Sequence, residues 1–140
     1  MDSKVGFTCG AFDLLHAGHI LLLQDARNQC DFLIVGLHVD PSLERPEKHK
    51  PIETVYERRL KLEACRYVDF VYQYETESDL YELLKTIRPD VRIIGSDWRG
   101  KVITGGDLGI PIYWHERKHG FSSSELRRRL STGKAGDNVA

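Results

Sequence analysis

No apolar run in the chain approaches the roughly 20 residues that a membrane-spanning helix needs. Met1-Asp2-Ser3-Lys4 leads into no apolar core of the kind that marks a secretion signal, so a cytoplasmic setting is expected. Cysteine is scarce. Cys9, Cys30 and Cys65 are odd in number, far apart and without a Cys-x-x-Cys pair. They argue against a disulfide framework or a thiolate zinc site and fit small buried thiols in a reduced compartment. Net charge is nearly missing too, because 20 basic against 21 acidic residues leave −1. Bulk charge therefore gives no reason to expect nucleic acid or a membrane as partner, and any anion must be met by local clusters. There is no Walker A sequence, no Gly-x-Gly-x-x-Gly after the first strand, no Gly-x-Ser-x-Gly elbow, no internal repeat and no low-complexity tract.

What remains is a regular alternation of apolar runs and helical patterns. Val5–Cys9 reads as a strand and Ile20–Ala26 as a mostly buried helix, followed by the uninterrupted apolar run Phe32–Leu37, suited to a strand covered on both faces. Asp40 to Pro51, with three prolines, reads as a long loop. Thr54 and Glu57 have capping-box form and open a helix to about Cys65. Val68–Tyr72 predicts a strand. Leu80, Leu83, Leu84 and Ile87 predict a helix with one buried face, stopped at Pro89. Val91–Ile94 and Ile110–Trp114 predict two more strands, the last nearer an edge because Pro111 cannot donate to a ladder. Ser122 and Glu125 open a basic helix to Leu130, and Ser131–Ala140 reads as a small, polar tail without order. The expectation is one α/β domain over residues 1–130, a doubly wound, mostly parallel five-stranded sheet with helices on both faces. In such sheets the ligand sits beyond the carboxyl ends of the strands.

The polar clusters fall at those ends. His16 and His19 lie in the turn between the first strand and its helix, where free backbone N–H groups favour an anion and imidazoles add donors that can be cationic near neutral pH. Lys48 and Lys50 lie in the long loop, Asp97 and Trp98 follow the fourth strand, and Arg117 and Ser122 follow the fifth. Such a rim suits a polyphosphate. Nucleotidyl transfer onto a phosphate monoester needs no general base, since the nucleophile is already ionised; the remaining work is charge neutralisation and alignment. Each residue also has a plainer reading. Asp13 can bond turn amides or touch Mg²⁺, Arg66 can pair with Asp69, and only one of Arg58 and Arg59 can face inward. Arg127, Arg128 and Arg129 are most simply a solvated helix face.

Several ordered motifs together resemble the glycerol-3-phosphate cytidylyltransferases of the HxGH nucleotidyltransferase superfamily. They are Gly10-Ala11-Phe12-Asp13 with His16-Ala17-Gly18-His19, the lysine loop before Glu57-Arg58, Arg66-Tyr67-Val68-Asp69, Gly95-Ser96-Asp97-Trp98-Arg99-Gly100-Lys101, and Glu116-Arg117 before Gly120-Phe121-Ser122-Ser123. The resemblance implies transfer of CMP from CTP to glycerol 3-phosphate, with Mg²⁺ on the triphosphate and no metal ligand from the protein, in a homodimer. It implies catalytic roles for His16, His19, Lys48, Lys50 and Arg117, and acceptor contacts from Lys50 and Arg58. It places Cys9, Gly10, Ala11, Phe12, Asp13 and Gly18 at the nucleotide, together with Arg66, Gly95, Asp97, Trp98, Ser122 and Ser123. Ala11 stands where those enzymes usually have threonine, and Lys118-His119 where they have Thr-Glu. A sister enzyme using ATP, or a phosphocholine, phosphoethanolamine, heptose phosphate or FMN acceptor, is the nearest alternative. An inactive nucleotide-sensing domain is another.

Overall fold

Strand β2 (Phe32–His38) is buried along six of its seven residues, and the rest of the fold is arranged around it. The structure, a computed structural model, describes residues 3–134. Strand β1 (Val5–Gly10) pairs parallel with β2 from Val5↔Phe32 to Gly10↔Leu37. On the other side of β2 lies β3 (Phe70–Tyr74), with His38 opposite Tyr74. Strand β4 (Val91–Gly95) pairs with β1, and β5 (Ile112–His115) with β4. The order is β3-β2-β1-β4-β5, all parallel, and it reverses between β1 and β4. The doubly wound sheet and its edge position for β5 are as expected. The strand itself begins after Pro111, whose carbonyl accepts from Arg92 N–H at 2.8 Å.

Helices cover both faces. Leu23 of α1 (Ala17–Asn28) and Leu62 of α2 (Val55–Ala64) pack with Leu33, Val35 and Ile93 on one face. Leu80 and Leu84 of α3 (Glu77–Ile87) pack with Phe7, Ile34 and Tyr74 on the other. Burying each such leucine contributes about 2 kcal/mol. Both predicted capping residues act as N-caps, and Thr54 forms the full reciprocal box with Glu57. Ser122 accepts from Glu125 N–H at 3.0 Å, whereas the Glu125 carboxylate turns to Arg128 and Arg129. Helix α4 (Ser123–Thr132) runs past the predicted end at Leu130, and Gly133 closes it at φ 68°. Ser131 and Thr132 are thus helical rather than tail, while residues 135–140 lie outside the described residues. Among the described residues no helix is long and apolar enough to cross a membrane.

Candidate active site

The turn after β1 is tightly specified. Phe12 and Leu14 both take left-handed backbone conformations, φ 49° and 55°, which side chains other than glycine rarely adopt. Asp13, 8% exposed, holds that turn in place: Oδ2 accepts from Ile52 N–H at 2.8 Å and Oδ1 from Glu53 N–H at 3.0 Å. Its carbonyl accepts from the Ser123 hydroxyl at 3.3 Å, and Arg127 Nη2 lies 3.4 Å from Oδ2. Asp13 thereby ties the turn after β1 to the end of the long loop and to α4.

Helix α1 starts at Ala17, three residues earlier than its apolar run, because His16 caps it. His16 Nδ1 accepts from His19 N–H at 3.4 Å and His19 Nδ1 accepts from His16 N–H at 3.2 Å, a capping box made of two imidazoles. The rings stack with centroids 3.7 Å apart. Gly18 must be glycine: a Cβ there would come within 2.8 Å of His119 Cε1 and 2.9 Å of His16 Cε1. Burial first, then the cations and rings around them, hold both histidines far below 6.5. His16 falls to about 4 with help from Arg117 and His119. His19 falls to about 3, lowered further by His16 and Arg117 and opposed by Asp13. Both rings are thus neutral near pH 7 in the ligand-free protein. With Nδ1 accepting, each neutral ring carries its proton on Nε2 and offers an N–H donor without a charge.

A crevice of about 440 Å³ opens beyond the strand ends, lined by Cys9 to Asp13, His19, Lys48, Gly95, Trp98 and Ser123. Two cations lie over the Trp98 ring, Arg45 at 5.6 Å and Lys101 at 5.5 Å from its centre. Arg117 donates to Phe121 O at 2.9 Å and acts electrostatically on both histidines. Lys50 is exposed and reaches Asp40 at 3.3 Å, leaving Lys48 as the lysine of that loop on the crevice. Ser122 caps α4. Asp97 is exposed beside Gly95.

Two expected ligands are placed elsewhere. Arg66 is exposed between α2 and β3, at the amino-terminal end of the sheet, opposite the crevice. Arg58 is 2% exposed and donates to the carbonyls of Glu53, Ala11, His38 and Val39, so it fastens the long loop from beneath. Conversely, sequence reasoning passed over His38, Arg45, Tyr74, Glu77, Arg92, Thr104 and Arg127, all of which line the crevice. His38 ends β2, where the strand-end rule would have found it.

A doubly wound sheet with paired imidazoles at the head of its first helix defines a nucleotidyltransferase of the HxGH superfamily. The cytidylyltransferase-like family matches residues 7–129, and the chain belongs to that family. It is 34% identical over 134 residues to the bifunctional protein HldE of Campylobacter jejuni, covering 95% of this chain and 29% of that protein. To HldE of Wolinella succinogenes it is 39% identical over 128 residues, covering 91% and 27%. The chain thus spans less than a third of the length of these curated relatives. The lipopolysaccharide core biosynthesis protein from Thermoplasma volcanium shares the fold with a TM-score of 0.66 at 23% identity, covering 84% of this chain and 98% of that one. Pantothenate synthetase from Thermus thermophilus shares it with a TM-score of 0.60 at 18% identity, covering 88% and 58%.

Proposed function

We propose that the crevice transfers a nucleoside monophosphate from a triphosphate to a sugar phosphate, with ATP as donor, a heptose phosphate as acceptor and pyrophosphate as the leaving group. The observation that carries the reaction is the pair of imidazoles at the start of α1, each with an Nε2–H to offer beside a strand-end crevice. The similarity to the HldE proteins over nearly the whole chain supports the heptose phosphate.

In this reading the triphosphate lies across the free N–H groups of α1, and His16 and His19 donate to it. An oxygen of the acceptor phosphate attacks the α-phosphorus in line, the bond from that phosphorus to the β-phosphate oxygen breaks, and pyrophosphate departs. Lys48 and Arg117 offset charge on the two anions as they close. Among the described residues no group of three His, Cys, Asp or Glu side chains could hold a cation, and Asp13 has both carboxylate oxygens engaged. In this reading Mg²⁺ enters as part of the nucleotide substrate. Transfer of CMP from CTP to glycerol 3-phosphate is the second reading, favoured by the Arg66–Asp69 and Asp97–Lys101 motifs. Mass spectrometry of products from ATP or CTP with either acceptor tests both. ADP-heptose as the dominant product is the expected result. No nucleotide adduct from any combination would overturn the proposal.

A further inference from the structure

Two arginines are buried in the described chain, and their surroundings treat them oppositely. Arg58 gives four of its five N–H donors to four backbone carbonyls. Arg92 of β4, 4% exposed, gives Nη1 to the Thr104 carbonyl at 2.7 Å, while its buried Nε has no partner. It lies against the Cys9 thiol, a poor acceptor. Among the described residues it forms no ion pair. A buried guanidinium with one carbonyl and no carboxylate is an expensive arrangement that the fold alone does not explain.

Its position suggests the explanation. Arg92 lines the α3 side of the crevice, near Leu84 and Gly105, whereas His19 lines it from the α1 side. Tyr74, Glu77 and Thr104 share its lobe. Glu77 does not neutralise it: one carboxylate oxygen pairs with Arg45 and the other accepts from the Thr104 hydroxyl at 3.3 Å. His38, stacked on Tyr74, directs Nε2 at the Glu75 carbonyl 3.2 Å away, which leaves Nδ1 as an acceptor. The lobe thus combines unused donors on Arg92 with an unused acceptor on His38. Hydroxyl groups, each both donor and acceptor, satisfy such a mixture.

We infer that Arg92 reads the hydroxyl-bearing body of a phosphorylated sugar, held so that its phosphate reaches the histidine end of the crevice. This assignment rests on the nucleotidyl transfer proposed above and names the residue that selects its acceptor.

The test compares wild type with Arg92→Met, which keeps the stem and removes the donors, and Arg92→Lys, which keeps the charge and loses the fork. Pyrophosphate release is measured with heptose phosphate and with glycerol 3-phosphate, and binding of each acceptor alone is followed by thermal shift. For Arg92→Met the KM for heptose phosphate should rise on the order of tenfold or more, with the nucleotide KM within about twofold. Arg92→Lys should recover part of that loss. Without ligand, Arg92→Met should melt no lower than wild type, because an uncompensated charge has been removed. Equal loss for both substrates with a lower melting temperature would make Arg92 a mere staple for Thr104. A loss confined to the nucleotide would assign Arg92 to the donor, and unchanged acceptor binding would also overturn the inference. If wild type binds sugar phosphates without turnover and Arg92→Met loses that binding, the reaction fails while the role of Arg92 stands. If it binds no sugar phosphate, both fail.

Discussion

His16 and His19 cap α1, and in the proposed reaction they also donate to the triphosphate; the two roles can be separated. Asparagine is among the better N-cap residues, and glutamine at the third helical position completes a capping box. A His16→Asn, His19→Gln double variant should stay within about 1 kcal/mol of wild type in denaturant unfolding. Its kcat should fall on the order of 100-fold or more, since two donors to the transferring phosphate are displaced. Protonation gives an independent check. The unfolded rings take up protons near pH 6.5, the folded ones only near 4 and 3. The unfolded state therefore binds more protons in that window, so stability holds above pH 6.5 and falls as pH drops toward 4. Melting temperature against pH should slope more steeply for wild type than for the double variant, and parallel slopes would contradict the burial of these rings. Arg58→Met should cost about 3 kcal/mol or more in the same unfolding experiment, because four carbonyls lose their donor. Much at this scale was legible in the chain: His19, Lys48, Trp98 and Ser123 line the crevice, and His16 stacks on His19 at its side. Arg92 was hidden inside an apolar strand run. Arg127 was hidden in an arginine triplet read as one solvated face, although consecutive helical residues point about 100° apart and cannot share a face.

The elements were legible where a period or a cap marked them. The apolar spacing of α3 places Leu80 and Leu84 in the core as read. Its start went unread because Thr76 is answered by Asp79 rather than the usual Glu or Gln. Thr76→Ala should cost about 1 kcal/mol by losing that cap, and Leu84→Ala roughly 2–5 kcal/mol by leaving a cavity under the sheet, both measured by chemical denaturation. Boundaries shifted where tertiary pairing overrides composition. β3 begins at Phe70 rather than Val68 because Cys65 to Asp69 is occupied in turning the chain, with Val68 N–H bonded to Cys65 O and Asp69 N–H to Leu33 O. The long loop is less free than its prolines suggest. Asp40 caps a short 3₁₀ turn, Pro41–Leu43, Arg58 holds the carbonyls just before the loop and Asp13 the amides just after it, and Lys48 between them lines the crevice.

For the molecule as a whole, parallel alternation was enough to locate the crevice, because a doubly wound sheet opens where its strand order reverses, here between β1 and β4. The acceptor was less legible. The side chains of the α3 lobe come from β2, β3, α3, β4 and the loop after it, and no short motif spans them. The resemblance read from ordered motifs pointed to glycerol 3-phosphate, whereas whole-chain similarity runs to the HldE proteins. Whether the neutral paired imidazoles at the head of α1 drive phosphoryl transfer or only cap a helix is open to one direct measurement. Pyrophosphate release from Mg·ATP and heptose phosphate is compared between wild type and the His16→Asn, His19→Gln variant, with nucleotide affinity measured alongside. Steady release from wild type is expected, with a rate at least about 100-fold lower in the variant and affinity changed far less. Equal rates in the two proteins would contradict a role in transfer.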